Sequence, residues 1–509
     1  MVLLLELAVV LGGFVRTMPV LATPFPVTDG GLFFTMVQDL QANGYRIPEF
    51  TSYNAANIPF AYPPYAFYAA GLINDLGVDL LQVFRFFPLF FSLLAIPAFF
   101  WLACEILEDR KKALLATFVF ALLKPAFKWL IMGGGLTRSP AFTLSIICLA
   151  FWMRWLSGRS RLGWLWTGIC FGLLVGTHLE ITMATALAML VFLLFRRSAL
   201  RRFGLIAAAG LIAVLVSAPY WLTVLRYHGP QPFLAALSNG GFDWTTRTLN
   251  LLIPNIGEET ALSLLAVLML LGLIYLLAVR SFLLLAWWLI LIIFAPRSLS
   301  RSASVLMAMF AAYGIQDVVV KGLAALPRNR WSRVITRFVP AFFIFQAMLM
   351  AVQGSIQPQT LSSNLNGEER AALAWVKDNV PADAAFLVLP VSDSWGEDSL
   401  MEWFPTLTQR VNILTIQGLE WLPERIFKWR IVEYFELRKC LLAPWTDCLD
   451  DYLQRRGGDF EYVLLSSDVR LAEYPSGYNV EEWLKRGYEV VYPGGEVVVL
   501  KKSALQVNR

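Results

Sequence analysis

Ionisable side chains lie at the ends of several long apolar segments of this 509-residue chain. The first is Asp29, which follows the first apolar segment and is framed by Pro26, Gly30 and Gly31. An ionisable residue at a membrane face is costly to place and usually serves a function. A carboxylate there can accept a proton or bind a cation. Asp29 is therefore the first candidate catalytic residue.

The sequence after Asp29 offers it a second role. Residues 32–41 have the pattern of an amphipathic helix that lies along a membrane interface, and a carboxylate at position 29 could cap that helix. The phrase Tyr62-Pro63-Pro64-Tyr65 follows. A Pro-Pro pair predicts a rigid turn, and tyrosine rings favour the interface, so this phrase could instead anchor the next apolar segment.

His178 and Glu180 lie at the predicted end of another apolar segment. Imidazole and carboxylate groups are metal ligands, and both could join Asp29 around one ion. Positions i and i+2 do not share a helical face, so this arrangement requires an irregular backbone there. The alternative is a polar pair that lines a cavity.

The composition places these residues in a membrane protein. The chain is 57% apolar and only 16% charged, whereas soluble proteins carry about 25% charged residues. Its net charge of +5 resides mostly in short connections, so no nucleic-acid partner is predicted. No Walker A loop, dinucleotide fingerprint or His-Glu-x-x-His motif is present, which excludes a nucleotide-driven pump of known type.

Apolar segments approach the roughly 20 residues of a membrane-spanning helix throughout the first 356 residues. We predict eleven spans, at 2–22, 84–106, 113–131, 139–156, 163–177, 181–195, 203–225, 260–279, 281–296, 302–320 and 338–356. The fold class is thus a polytopic α-helical membrane protein of about eleven transmembrane helices. We divide it into a transmembrane domain, 1–356, with a large first outer loop, 23–83, and a C-terminal domain, 357–509.

Every second connection between the spans is rich in Lys and Arg. These connections contain 110–112, 154–161, 196–202, Arg280 and 321–337. Cytoplasmic loops carry such an excess of basic residues. We therefore predict a multi-pass plasma-membrane protein with a cytoplasmic amino terminus, an outward-facing first loop and an extracytoplasmic C-terminal domain.

The C-terminal segment has the pattern of a small α/β domain. Residues 367–379 have helical spacing, with acids in the first turn. The runs 385–390, 411–416 and 462–466 are rich in β-forming residues, and 488–500 reads as a terminal hairpin. Cys440 and Cys448 could pair outside the cytoplasm or remain two free thiols.

An acid just after the first span, a long first outer loop with an interfacial helix, and the phrase Tyr62-Pro63-Pro64 resemble the GT-C class of integral-membrane glycosyltransferases. The phrases 133–138 and 177–180 are similar to prokaryotic members of this group. The resemblance implies a GT-C-like transmembrane domain. It also implies transfer of a sugar from a polyprenyl-phosphate or diphosphate carrier to a lipid, glycan or protein acceptor at the outer face of the bilayer.

The resemblance also assigns roles to individual residues. Asp29 matches the first-loop acid that serves as base or metal ligand, and a leaving phosphate would need positive charge. The predicted substrate-binding residues are Lys124, Lys128, Arg138, Arg297, Arg301, Tyr62, His178 and Glu180. Arg297 and Arg301 have i, i+4 spacing and would share one helical face. Each cation could alternatively snorkel to lipid headgroups.

A divalent Mg or Mn ion would use Asp29, His178 and Glu180. The loop 133–139 lacks the second acid found in some families of this class, which favours the role of general base for Asp29. Two other functions stay open. A lipid-saccharide flippase would favour paired halves and ionisable residues at mid-membrane. A non-catalytic membrane anchor would need far fewer spans.

Overall fold

The computed structural model describes residues 1–196, 202–239, 264–294, 299–325, 330–356, 364–442, 446–466 and 478–503. Within the described part of residues 1–356, the longer helices are α1 (Val2–Leu21), α2 (Gly31–Ala42), α3 (Tyr65–Asp75), α4 (Leu80–Leu107), α5 (Arg110–Leu122), α6 (Gly135–Leu156), α7 (Gly163–Val175), α8 (Leu179–Phe195), α9 (Phe203–His228), α10 (Gln231–Ser238), α11 (Leu264–Ala278), α12 (Phe282–Phe294), α13 (Leu299–Tyr313) and α14 (Arg330–Ile356).

The apolar helices confirm a polytopic membrane protein. Among the described residues, α1, α4, α6, α9, α13 with its extension to Ala324, and α14 are long and apolar enough to cross a membrane. The shorter apolar helices are α7, α8, α11 and α12. Helix α5 meets the same test together with the segment Lys124–Leu130, from which it is bent by 84°. Each predicted span overlaps one of these units within the described residues, while the number of helices that cross the membrane stays a prediction.

The bend after α5 follows from its sequence and from a buried arginine. Pro125 disfavours helical geometry at the residue before it. The last carbonyls of a helix lack partners in the helix itself. Arg16 of α1 is fully buried and donates to the carbonyl oxygens of Phe120 at 3.1 Å and Ala121 at 3.4 Å. The guanidinium therefore caps α5 where the chain turns away.

The basic connections gather at one end of the helix bundle. Lys112 pairs with Asp317 at 2.6 Å, and Arg154 pairs with Glu105 at 3.0 Å. Asp317 lies in a π-helical turn, Gly314–Val320, that continues α13. This clustering agrees with the alternation of charge along the sequence. Which side of the membrane this end faces stays a prediction.

A five-stranded sheet forms the centre of the C-terminal domain. Its elements are α15 (Gly367–Asn379), β1 (Ala385–Val388), α16 (Ser399–Thr408), β2 (Val411–Asn412), α17 (Glu424–Leu442), α18 (Thr446–Arg456), β3 (Tyr462–Ser466), α19 (Val480–Lys485), β4 (Tyr488–Pro493) and β5 (Val497–Lys502). The strand order is β2-β1-β3-β5-β4, with β1 parallel to β2 and β3. The antiparallel pair β4 and β5 is the predicted hairpin.

Cys440 of α17 and Cys448 of α18 form a disulfide bond. The three other cysteines, Cys104, Cys148 and Cys170, are free thiols in apolar helices. Of the two alternatives that the sequence leaves open for Cys440 and Cys448, the structure has the paired one.

The first loop and the C-terminal domain lie on the same side of the helix bundle. Helix α2 confirms the predicted helix over 32–41, and it packs against α16 and α3. The hydroxyl oxygens of Thr35 in α2 and Thr406 in α16 are 3.0 Å apart. Most apolar side chains of α2 are thus covered by protein rather than by lipid, because the C-terminal domain rests on this helix.

Candidate active site

Asp29 lies in a tight connection between α1 and α2. Its side chain is largely buried, with 8% of the residue exposed. The residues on either side have unusual backbone geometry, with φ of 56° at Thr28 and 125° at Gly30. Positive φ is uncommon for a β-branched residue such as threonine, and such strain concentrates at functional sites. The connection thus holds Asp29 in a strained, specified turn.

The carboxylate of Asp29 is bound by the start of α6. Its Oδ1 accepts a hydrogen bond from the backbone N–H of Gly134 at 2.7 Å, and its Oδ2 forms an ion pair with Arg138. The N-cap of α2 is Gly30, which has no side chain, and both carboxylate oxygens of Asp29 are bound at the start of α6 rather than at α2. The capping role considered for Asp29 is therefore wrong.

The glycines just before α6 permit this contact. A Cβ atom at Gly133 would overlap the carbonyl oxygen of Asp29, and one at Gly134 would overlap both the Asp29 carboxylate and the Arg138 guanidinium. The backbone N–H of Gly133 also donates to the carbonyl oxygen of Val27 at 2.9 Å. Glycine is the residue that allows such close approach of backbone to a functional group.

Arg138 and Lys128 meet around one indole ring. Arg138 donates to the carbonyl oxygen of Trp129 at 3.2 Å, and its guanidinium carbon lies 5.6 Å from the ring centroid. The Lys128 ammonium lies 5.4 Å from the same centroid and pairs with Glu397 of the C-terminal domain at 3.2 Å. The 84° bend after α5 brings this part of the chain to Asp29. Two predicted phosphate-binding cations are therefore close together.

A second polar cluster joins α8 and α13. Arg301 donates to Glu180 Oε2 at 3.4 Å, and its guanidinium is largely buried. His178 is the N-cap of α8, and its Nδ1 accepts from the N–H of Ile181 at 3.4 Å. Helix α13 also packs against the turn that contains Lys124, whose side chain approaches Gly354 of α14. Lys124 and Arg301 thus lie on adjoining elements.

Tyr62 connects the first loop to the C-terminal domain. Its ring packs edge-on against Phe33 at 4.6 Å and Trp421 at 5.0 Å, and its hydroxyl donates to Glu420 at 3.3 Å. Arg297 lies outside the described residues, so its predicted partnership with Arg301 stays a prediction.

The donor set does not form a metal site. Among the described residues, no group of three or more His, Cys, Asp and Glu side chains could hold a metal ion. Asp29 is paired with Arg138, and Glu180 is paired with Arg301. The two carboxylates that were predicted as metal ligands therefore each face an arginine.

Glu402 is a residue of this region that the sequence analysis missed. It lies on α16, 6% exposed, and its Oε1 accepts from the N–H of Gly30 at 2.8 Å. Burial, and next the negative charge of Asp29, raise the pKa of Glu402 to about 8. The available signal was a single acid inside the apolar run Leu400-Met-Glu-Trp-Phe404.

No protein-family model and no curated protein matches the chain. Several solved structures do. ArnT from Cupriavidus metallidurans bound to undecaprenyl phosphate has a TM-score of 0.56 at 13% identity, over 99% of this chain and 98% of that one. The Archaeoglobus fulgidus oligosaccharyltransferase tethered with an acceptor peptide has a TM-score of 0.56 at 13% identity, over 97% of this chain and 74% of that one. The mycobacterial arabinofuranosyltransferase AftD has a TM-score of 0.55 at 16% identity, over 98% of this chain and 40% of that one.

These similarities extend over nearly the whole chain, so they include both the helix bundle and the C-terminal domain. At such low identity these similarities establish the fold. They do not establish the substrates or the roles of individual residues, which have to be argued from the geometry of the site. The chain therefore has the GT-C fold of integral-membrane glycosyltransferases, as the first-loop acid and the Tyr-Pro-Pro phrase predicted.

Proposed function

We propose that this protein is a membrane glycosyltransferase that moves a sugar from a polyprenyl-phosphate or diphosphate carrier to an acceptor at the outer face of the membrane. The observation that carries the proposal is the buried pair of Asp29 and Arg138 at the domain end of a GT-C bundle. A related fold, that of ArnT, has been solved with undecaprenyl phosphate bound.

The proposed reaction uses both members of the pair. The acceptor oxygen attacks the anomeric carbon, a new carbon–oxygen bond forms, and the bond from that carbon to the carrier phosphate breaks. Asp29 accepts the acceptor's hydroxyl proton, and the bonding electron pair leaves with the phosphate. Arg138 and Lys128, with Lys124 and Arg301 on adjoining elements, supply positive charge for the leaving group.

The disulfide between Cys440 and Cys448 supports the proposed orientation. Disulfides form and persist outside the cytoplasm, so the bond agrees with an extracytoplasmic C-terminal domain. Because the first loop contacts this domain, Asp29 would then face the same compartment. A lipid-linked donor at the outer leaflet could reach it there.

The test is transfer by purified protein in nanodiscs, with a panel of polyprenyl-phosphate sugars and with release of polyprenyl phosphate as the readout. We expect Asp29→Asn to lower turnover by about 10²–10⁴-fold, since the base is lost. Binding of undecaprenyl phosphate should persist. Asp75→Asn, a change at an exposed acid of the same loop, is the matched control and should leave turnover unchanged.

Near-normal turnover of Asp29→Asn would remove Asp29 as the base. A wild-type protein that neither binds undecaprenyl phosphate nor consumes any donor would contradict the proposed function. Carrier movement across the bilayer without sugar transfer would instead support a flippase.

A further inference from the structure

The backbone of Thr28 is held from both sides by the C-terminal domain. Its N–H donates to Asn364 Oδ1 at 2.9 Å, and its carbonyl oxygen accepts from Trp403 Nε1 at 3.1 Å. Thr28 is the residue with φ of 56° immediately before Asp29. A strained backbone conformation persists only where the surrounding structure determines it. Here those surroundings are supplied by residues more than 330 positions away in the chain.

The start of α2 is held by the same domain. The first N–H groups of a helix lack partners within the helix. Glu402 accepts from the N–H of Gly30, and the hydroxyl of Thr406 donates to the carbonyl oxygen of Gly31 at 2.8 Å. Glu402 is thus the cap that α2 does not obtain from its own sequence.

The contact between these segments is tight. A Cβ atom at Gly31 would lie 2.5 Å from the carbonyl oxygen of Glu402. The indole of Trp403 packs edge-on against Phe25, with centroids 4.7 Å apart, and against Phe34 at 5.7 Å. The segment that carries Asp29 therefore has little room to shift while α16 is in place.

We propose that the C-terminal domain is an integral part of the active site and that Glu402 is a positioning residue for Asp29. The proposal rests on the proposed function, in which Asp29 is the base. Glu402 fixes the main chain beside Asp29, while α6 binds the carboxylate from the other side through Gly134 and Arg138. A misplacement of about 1 Å in a catalytic group can lower a rate by about 100-fold.

Three variants separate this role from general stability. Glu402→Ala removes the cap, whereas Glu402→Gln keeps an oxygen that can accept from the N–H of Gly30. Trp403→Phe keeps an aromatic ring but removes the hydrogen bond to Thr28 and part of the buried indole. Glu369→Gln is the matched control, because Glu369 is also buried and accepts from the N–H of Asn366 at 3.0 Å at the start of α15.

The first measurement is hydrogen exchange of the full-length protein in nanodiscs, which needs no substrate. In Glu402→Ala, amides of the segment 28–34 should exchange roughly tenfold faster, as expected for the loss of a hydrogen bond. Exchange in this segment should stay close to wild type in Glu402→Gln and Glu369→Gln. Unchanged protection of 28–34 in Glu402→Ala would overturn the proposal.

The second measurement is kcat and KM for the polyprenyl donor that the wild type consumes. Glu402→Ala and Trp403→Phe should lower kcat by about 10–100-fold with little change in KM, and Glu402→Gln should recover most of the loss. An equal loss in Glu369→Gln, or normal kcat in Glu402→Ala, would overturn the positioning role. An inactive wild type would contradict the proposed function, while hydrogen exchange would still decide the role of Glu402.

Discussion

At the scale of single residues, the candidate active site depends on contacts that only glycine permits. Asp29 and the glycine-rich phrase 133–138 are both prominent in the sequence, but nothing in their spacing indicates that they meet. The structure joins them because a carboxylate, a guanidinium and two backbone segments share a volume that has no room for a Cβ at Gly133 or Gly134. The glycines near Asp29 and near Arg138 are thus explained by the one contact between these two segments.

Gly134→Ala tests this packing. The added methyl group would collide with the Asp29 carboxylate and with Arg138, so we expect turnover to fall by about 100-fold. Gly210→Ala in α9 is the control, since a Cβ there meets no atom within 4 Å. Transfer rates and unfolding temperatures of both variants are the measurements. Equal activity of the two variants would contradict the assigned contact.

The pH dependence of stability tests the environment of Glu402. Its pKa is raised from 4.5 to about 8, first by burial and then by Asp29, while the hydrogen bond from the N–H of Gly30 and the charge of Arg138 oppose the shift. The folded protein therefore binds this proton more tightly than the unfolded chain does. The stabilisation is complete below about pH 4.5 and is lost as the pH rises to about 8.

Glu402→Gln has no proton to lose at this position. Its free energy of unfolding, relative to that of wild type, should therefore rise as the pH increases from 4.5 to 8. Chemical denaturation of both proteins across this range measures the difference. Parallel curves for the two proteins would show that Glu402 does not titrate as described.

At the scale of elements, the sequence predicted the helices well, but it did not predict the caps that come from distant parts of the chain. Apolar segments, the helix over 367–379 and the terminal hairpin follow from local composition and periodicity, and each is present. Two of the caps nearest the candidate site come from remote residues. Arg16 binds two of the last carbonyls of α5, and Glu402 binds the N–H of Gly30, the residue before α2. No local pattern encodes such partners, because each pair is separated by more than one hundred residues.

The second polar cluster, in α8 and α13, also has a partner that the local sequence could not predict. His178 and Glu180 were expected to line a cavity or bind a metal ion. In the structure, His178 caps α8, its own helix, and Glu180 pairs with Arg301 of α13. A place of the two residues at a substrate cavity stays a prediction. The i, i+2 spacing indicated that the two side chains would not share a helical face, and the structure agrees. The identity of the partner, Arg301, depended on the packing of the bundle.

At the scale of the whole molecule, the contacts of α2 with α16 place the first loop and the C-terminal domain on one side of the bundle. This relation does not depend on an exact count of membrane spans. Charge alternation predicts that the shared side is extracytoplasmic, and the ion pairs of Lys112 and Arg154 lie at the opposite end.

Thiol labelling in intact cells tests the orientation. In a background with Cys104, Cys148 and Cys170 replaced by Ser, Gln38→Cys and Glu489→Cys should react with a membrane-impermeant maleimide. Arg161→Cys should react only after the cells are opened, because it lies in a basic connection. All three positions are exposed in the structure. Labelling of Arg161→Cys in intact cells, or protection of Gln38→Cys from labelling, would contradict the predicted topology.

The close approach of Gly31 to the carbonyl oxygen of Glu402 also constrains the ancestry of such proteins. We expect the first loop and α16 to change together in evolution, because a loop from one protein and an α16 from a diverged one would not fit at this contact. Hybrids joined between residues 356 and 364 should therefore lose activity unless the segment 25–34 is exchanged along with the domain. The functional unit of this fold would then be the first loop together with the C-terminal domain, two segments that are far apart in the sequence.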